Sequence, residues 1–458
     1  MNKKTFLYGA PASGKTTLGS RLAKALGVRF IDLDAEIVAR AGCPIAQIFA
    51  EKGEPHFRDF ESETLASVAA LDEPLVVSLG GGTLLRDANR ACAEKAGEVL
   101  CLETPSEEEL ARRLGLAKGV RPLGNKAKER APHYASFPNR VAAWFDLGNS
   151  LVVVGRGIAR VALGSRRVVA DANVAKLHAD KVGEPTAIIP SGEEHKTPAT
   201  VLGLWRAFAA AGLGRRDVVA AAGGGVTGDL TGFAAATWMR GIDWINVPTT
   251  LLSMVDASTG GKTGCDLPEG KNLAGAFHSP RLVAIDVDFL STLPPEILRQ
   301  GRAEMIKHEI IGGLAHTADP KGIPSPAEIA ANLAVKVGVV EKDPFEKTGL
   351  RMLLNCGHTV AHAVETLSDY ALAHGEAVAI GCVEEARFAV RRGLAPEAWP
   401  AELAARFAAA GLPTELPAGV DWARMVPVMK GDKKRAGGTV TFALPCGWGD
   451  VRAVPVEL

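Results

Sequence analysis

The sequence predicts an α/β protein of three consecutive units: a P-loop α/β unit, a Rossmann-like α/β unit and a mostly helical unit with candidate metal ligands. Three stretches carry that prediction. Residues 4–8, KTFLY, read as a buried strand running into GAPASGKT, Gly9 to Thr16, and then into an amphipathic helix. That is G-x-x-x-x-G-K-[ST] in the strand–turn–helix setting it requires. VVAAAGGGVTGD (218–229) repeats the order of strand, glycines and helix without matching G-x-G-x-x-G. It lies among strand-like runs that alternate with helical ones, the pattern of a parallel sheet. RMLLNCGHTVAHAVETLSDYALAHGEAV (351–378) is helical and rich in imidazole and carboxylate, and around it Gly and Pro give way to Ala, Leu, Glu and Arg.

Composition narrows the function classes. At 458 residues the chain exceeds one ordinary core, so two or three domains are expected. Lys plus Arg (52) equals Asp plus Glu (52), so no net field favours nucleic acid or a membrane surface. The seven cysteines form no CxxC pair, which argues against a disulfide framework or a zinc knuckle. MNKKTFLYGA lacks the apolar core of a signal peptide, and no apolar run is long enough to span a bilayer. A cytoplasmic enzyme acting on small molecules is expected. Its units are placed at 1–145, 146–300 and 301–458, with DLGNS (146–150) as the turn-forming junction.

In the first unit, backbone N–H groups of the loop and the start of the next helix can cradle phosphates. Lys15 can neutralise β and γ phosphates, and the Thr16 hydroxyl can ligate Mg²⁺. FIDLD (30–34) reads as a strand ending in Asp32 and Asp34, and LVVSLGGG (75–82) as a strand capped by three glycines. The basic run Arg112, Arg113, Lys118, Arg121, Lys126, Lys128, Arg130 is either a solvated helix face or a lid over transferring phosphate.

GAPASGKTT, FIDLDAEI, GEPHFRDFE, LGGG, RPL and ERAPHY occur in the order seen in shikimate kinases, so residues 1 to about 140 resemble that family. The resemblance implies a P-loop kinase domain binding ATP with Mg²⁺ through Gly9, Ala12, Ser13, Gly14, Lys15, Thr16 and Thr17. Arg121 would act as the lid arginine, and Arg113 would lie near adenine. Shikimate would be held by Asp34, Arg58, Gly80, Gly81, Gly82 and Arg130, and Asp32 would assist Mg²⁺ and the attacking hydroxyl. One departure is that the family continues into a final strand, an adenine-contacting loop and a helix. Here ASFPNRVAAWFDLGNS leads almost directly into the next unit, which leaves a regulatory, catalytically impaired kinase as the alternative reading.

Further on, Asp256, Lys262, Lys271 and Asn272 sit among glycines and hydroxyls, as an anionic polyhydroxylated substrate would need. Glu304 and Lys307 share a helix face. His358, His362 and Glu365 stand at i, i+4 and i+7, with His374 beyond. Zn²⁺ or a similar ion suits that ligand chemistry, although spacing alone does not separate a metal site from an ordinary helix.

GGGVTGD, PTTLL, GGKTG, GKN, IKH, GHT and HGEAVAIG resemble 3-dehydroquinate synthases along residues 151–458. The resemblance implies an NAD-binding Rossmann-like domain and a mostly helical metal-binding domain, expected to pair as a homodimer. Glu304, His358 and His374 would bind Zn²⁺ or Co²⁺. Asp171, Asn173, Glu193, Lys196, Gly224, Gly225, Val226, Asp229, Thr249, Thr250, Phe289 and Thr292 would hold NAD. A heptulosonate phosphate would meet Arg240, Asp256, Lys262, Lys271, Asn272, Lys336, Arg351, Asn355, His362 and Lys433, and of these Lys262, Arg351 and His362, with Lys307, would be catalytic. The resemblance also implies that hydride would pass to NAD and return within one turnover, phosphate leaving in between. Ala257, Thr259, Asp266 and Ala361 depart from the family pattern, and Asp266 puts an extra carboxylate near the anionic substrate.

Overall fold

A computed structural model describes residues 4–458 except 105, 107–125, 165, 317–318 and 433–438, and the side chains of 126–128 and 432. The first unit runs β1 (Lys4–Tyr8), α1 (Lys15–Leu26), β2 (Arg29–Asp32), α2 (Leu33–Ala41), α3 (Ile45–Ala69), β3 (Leu75–Ser78), α4 (Asp87–Ala96), β4 (Gly97–Leu102), α5 (Lys126–Ala135) and β5 (Arg140–Asp146). Strand β2 stops at Asp32, so Asp34 lies in the first turn of α2 and not in the strand. The cause is local: Asp32 Oδ1 accepts from the backbone N–H groups of Asp34 (3.0 Å) and Ala35 (3.2 Å), an N-cap.

The second unit adds β6 (Leu151–Arg156), α6 (Ile158–Leu163), β7 (Arg167–Asp171), α7 (Ala172–Leu177), α8 (Ala179–Val182), β8 (Ala187–Ile189), α9 (Pro198–Ala210), β9 (Val218–Gly223), α10 (Gly225–Thr237), β10 (Asp243–Pro248), the hairpin β11 (Lys262–Leu267) and β12 (Gly270–Phe277), and β13 (Leu282–Asp286). The third is helical: α11 (Pro295–Gly312), α12 (Pro326–Lys342), α13 (His358–Leu367), α14 (His374–Arg391), α15 (Trp399–Ala409) and α16 (Trp422–Asp432). It closes on the hairpin β14 (Thr439–Gly447) and β15 (Asp450–Glu457).

The first two units share one eleven-stranded sheet, in the order β2-β3-β1-β4-β5-β6-β13-β10-β9-β7-β8. Strand β5 is the hinge of this arrangement. It pairs parallel with β4 through Arg140 and Val141, and antiparallel with β6 from Arg140↔Arg156 to Asp146↔Leu151. The final strand that the sequence reading took to be missing is therefore present, as RVAAWFD, and the following unit builds on its other edge. The α1 face of Leu18, Leu22 and Leu26 belongs to the same core as Val152, Val154, Ile158 and Val283, and α12 lies on β5 and β6. Among the described residues, no helix is long and apolar enough to cross a membrane.

Candidate active sites

At the end of β1, Gly9 takes a left-handed φ of 137° and leaves no room for a side chain, since a Cβ would meet Leu102 O at 2.9 Å. The loop then turns through Ala12 (φ 58°), Ser13 and Gly14 into α1. Lys15 Nζ is folded onto the loop, donating to Gly9 O (3.0 Å) and Ala10 O (2.8 Å), positions from which phosphate oxygens would draw it. Burial pulls its pKa down to about 8, against the opposing pull of Asp34 and Asp32. Thr16 Oγ1 donates to Asp32 Oδ2 (2.7 Å), so the two groups suited to Mg²⁺ already touch. Thr17 is exposed on α1.

The triple glycine closes the same site. A Cβ on Gly80 would lie 3.0 Å from Asp34 Oδ1, one on Gly81 2.9 Å from Pro11, and one on Gly82 2.9 Å from Arg58 Nη2. Asp34, Arg58 and the glycines are thus brought together around the P-loop. Arg130 sits beside Tyr134, whose hydroxyl donates to Gly81 O (2.7 Å). Burial, with Asp32 and Glu61 adding to it, raises the Asp34 pKa. Glu61 had no assigned role in the sequence reading. It is buried, receives Arg58 Nη1 at 2.7 Å and Thr83 Oγ1 at 2.7 Å, and so fixes the guanidinium. Its signal was its place in the quoted GEPHFRDFE motif. Arg113 and Arg121 lie outside the described residues.

In the second unit, Gly224 and Gly225 open α10 at the end of β9, with Thr249 N donating to Gly223 O (2.9 Å) and Thr250 packed over Gly224. Val226 follows in the first turn. Asp171 ends β7 and accepts from Asn173 N (2.8 Å) and Ser191 Oγ (2.8 Å). Lys196 Nζ reaches Asp229 Oδ2 (2.8 Å), Asn272 Oδ1 (2.7 Å) and Glu193 Oε1 (3.7 Å). Burial opposes its charge, but Asp229 and Glu193 raise its pKa all the same. Thr292 is bonded to His178 (2.7 Å), whose ring lies 4.7 Å from that of Phe289. Asp266 Oδ1 accepts from Asn272 N (2.7 Å), so the unusual carboxylate is engaged in holding Asn272 in its left-handed turn.

The third unit supplies the most concentrated chemistry. Glu304 on α11 faces the first residues of α13 and α14. Its Oε1 lies 3.6 Å from His358 Nε2 and 3.4 Å from His374 Nε2, and it has no hydrogen-bond partner among the described residues. Three ligand atoms converge on one point, one of them an orphaned buried carboxylate oxygen, and the donor set suits Zn²⁺ or Co²⁺. Burial, reinforced by Lys307, pushes His358 down to about 3, leaving the neutral form that ligates. Burial works the same way on His374, but the neighbouring carboxylates of Glu304 and Glu365 hold it up to about 9. A bound ion must therefore displace a proton there.

His362 is a neighbour of His358 (ring centroids 5.6 Å apart) and not part of this convergence. Glu365, which helical spacing placed with the two histidines, instead receives His374 Nδ1 at 3.2 Å and orients that ring. Glu365→Gln should weaken metal binding by about 10–100-fold, as read by competition with a chelating dye; unchanged affinity would contradict the orienting role. A further orienting residue is Glu385, whose carboxylate accepts from Gly357 N (2.8 Å) and Val360 N (3.2 Å) and seats the start of α13. Sequence alone offered no sign of it.

A second carboxylate–imidazole group, Asp256, Glu304 and His308, is already filled by cations. Lys336 Nζ donates to Asp256 Oδ1 (2.8 Å), and Lys307 Nζ contacts Glu304 Oε2 and lies 3.8 Å from Asp256. Burial opposes ionisation of Asp256, yet Lys336 and Lys307 hold it well below the usual carboxylate range. Nearby, Lys262 pairs with Glu346, and Arg351 Nη2 donates to Gly260 O (3.1 Å). Lys271 lies 4.5 Å over the Tyr370 ring. Arg240 and Asn355 are exposed, without a described contact to this cluster, and Lys433 lies outside the described residues.

Fold and sites define a P-loop phosphoryl-transfer unit fused to a Rossmann-like unit with a metal-ligand cluster. The shikimate kinase family model matches residues 11–142, and the models for the 3-dehydroquinate synthase N-terminal and C-terminal domains match 186–300 and 301–435. A 3-dehydroquinate synthase from Synechococcus sp. is 48% identical over 276 residues, 57% of this chain and 75% of the relative. One from Pelobacter propionicus is 42% identical over 324 residues, 66% of this chain and 90% of the relative. The chain belongs to the 3-dehydroquinate synthase family and carries a shikimate kinase domain ahead of it. It is a bifunctional shikimate-pathway enzyme.

Two solved structures are similar. A 2-deoxy-scyllo-inosose synthase complexed with carbaglucose-6-phosphate, NAD⁺ and Co²⁺ has a TM-score of 0.61 at 27% identity, covering 69% of this chain and 96% of its own. A 2-epi-5-epi-valiolone synthase from Streptomyces hygroscopicus with NAD⁺ and Zn²⁺ bound has a TM-score of 0.59 at 28% identity, covering 69% and 94%.

Proposed function

We propose that the kinase unit phosphorylates shikimate with ATP and Mg²⁺, and that the synthase unit converts a seven-carbon heptulosonate phosphate to 3-dehydroquinate with release of phosphate. The observation that carries the synthase reading is the convergence of Glu304, His358 and His374 beside two buried lysines. When bound, the divalent ion supplies Lewis acidity at a substrate hydroxyl, and NAD accepts and returns a hydride; both groups accompany the similar solved synthases. Lys307 works as a fixed positive charge. Burial opposes that charge, but Glu304 and Asp256 beside it raise its pKa. Lys336, Lys262, Arg351 and Asn272 would receive the substrate's anionic and hydroxyl groups, and His362, exposed beside His358, is placed to move a proton.

In the kinase unit, Lys15 neutralises transferring phosphate and Thr16 with Asp32 holds Mg²⁺. Asp34, Arg58, Arg130 and Gly80 to Gly82 hold shikimate, the arginines taking its carboxylate. Lys15→Met should lower kinase kcat by about 10²–10³-fold while leaving phosphate release by the synthase unchanged, as followed by ADP formation and phosphate release on one preparation. Loss of both activities would contradict separate sites. The enzyme is read as a cytoplasmic homodimer. Met239 (φ 51°) and Arg240 (φ 71°) form an exposed left-handed turn, and Arg240 is the residue we assign to a neighbouring subunit's substrate phosphate.

A further inference from the structure

Both proposed sites lie at the carboxyl ends of strands, where open α/β sheets place their ligands. A third cavity lies at the opposite, amino-terminal ends and between the two enzymes. It measures about 860 Å³, within the size range of small-molecule sites. From the kinase unit it takes the starts of β1 and β3, and from the synthase unit the starts of β7 and β9. Strand directions in the two units are opposed across β5 and β6. The six steps from β1 to β9 at about 20–25° each turn the sheet by roughly 120–150°, which brings these starts round to one cleft.

Its lining is unbalanced in charge. Lys4, Arg160, Arg166, Arg167, Lys181 and Arg216 face Glu98, Asp180 and Asp217. Asp180 is committed to Arg160 (2.7 Å), and Asp217 accepts from Gly214 N (2.7 Å). Among the described residues, Arg166, Arg167, Lys181 and Arg216 have no carboxylate within ion-pair distance. Half-buried Arg166 crosses between the units and donates to Ala162 O (3.1 Å) and to Leu26 O (3.0 Å), at the carboxyl end of α1. Arg281 Nη2 donates to Lys24 O (2.6 Å) on the same helix end. Two guanidinium charges exceed the roughly half charge a helix terminus offers, and only Arg281 has an acid, Asp243 at 3.2 Å. Burial and the nearness of Arg281 lower the Arg166 pKa, the signature of a cation short of a counter-ion.

We propose that this cleft binds a small polyanion bearing phosphate or carboxylate groups, held between Arg166, Arg167 and Arg216. The occupant would touch the far end of the helix whose first residue is Lys15, so the site belongs to the fusion and to neither enzyme alone.

Arginine-selective labelling of the full-length, metal-loaded protein with phenylglyoxal tests this, with labelled peptides quantified by mass spectrometry and inorganic pyrophosphate as probe in magnesium-free buffer. At about ten times its Kd, pyrophosphate leaves about a tenth of the sites free, so labelling at Arg167 and Arg216 should slow about tenfold. Labelling at Arg452, exposed and paired with Asp450, should be unchanged. Arg166→Leu should abolish the protection of Arg167; should that variant fail to fold, Arg216→Ser, at an exposed position, should weaken it. Equal labelling with and without pyrophosphate would overturn the proposal, as would equal slowing at Arg452.

Discussion

His374→Ala strips the divalent ion from the synthase site and abolishes cyclisation, whereas His362→Ala keeps the ion and loses turnover. The two residues lie near the same cluster, so the contrast is a sharp one. His374 Nε2 points at Glu304 Oε1 across 3.4 Å, while His362 stands to the side of His358 with its ring centroid 5.6 Å away. Removing His374 takes away one of three protein ligands and leaves Glu304 and His358 facing the position, with Glu304 still paired to Lys307. The ion's charge stabilisation amounts to several kcal/mol, so its loss lowers kcat by more than about 10³-fold. Loss of His362 costs about 10²–10⁴-fold, the ordinary weight of a proton-transferring or substrate-positioning group. Metal content by atomic spectroscopy, measured beside kcat, separates the two. Equal metal loss in both variants would place His362 among the ligands.

Cutting the chain should have lopsided consequences. A fragment of residues 138–458 retains β5, with its long antiparallel pairing to β6, and should fold and keep synthase activity. The Pelobacter propionicus relative supports this, because its 324 matched residues make up 90% of its length and leave no room for a kinase domain. In a fragment of residues 1–147, β5 keeps only its short pairing with β4, and the α1 face that packs with Val152, Val154 and Val283 is bared. If two of Leu18, Leu22 and Leu26 become exposed, the loss is about 3–6 kcal/mol, comparable with the whole stability of a small domain. Arg166 and Arg281 are lost from the end of α1 as well. Expression of both fragments, with thermal unfolding and activity, decides the matter. A stable, active kinase fragment would contradict this account of the shared core.

What the sequence made legible was whatever is local in the chain. The P-loop, the triple glycine at 80–82 and the Glu304–Lys307 pair each lie within one turn or one helix, and the structure assembles each of them. Pairings that depend on packing were not legible from spacing. His358 and His362 share a helix face, yet His358 meets Glu304 and His374 only because α11, α13 and α14 pack together; the family resemblance, and not periodicity, pointed to that triad. Glu365 and Glu385 act through residues far from their own turn, which no spacing rule reveals. The double role of β5 was hidden for a similar reason. Seven residues of strand character do not say how many neighbours they have, so a chain that runs almost directly into the next unit was read as a kinase lacking its final strand.

In the proposed reaction the synthase unit uses NAD and a divalent ion to release phosphate from a seven-carbon sugar acid with no net oxidation. Purified full-length protein supplied with the heptulosonate phosphate, NAD⁺ and Zn²⁺ should release one phosphate per 3-dehydroquinate formed, with no accumulation of NADH. Accumulation of NADH in step with substrate consumption would contradict that account and make the unit a dehydrogenase.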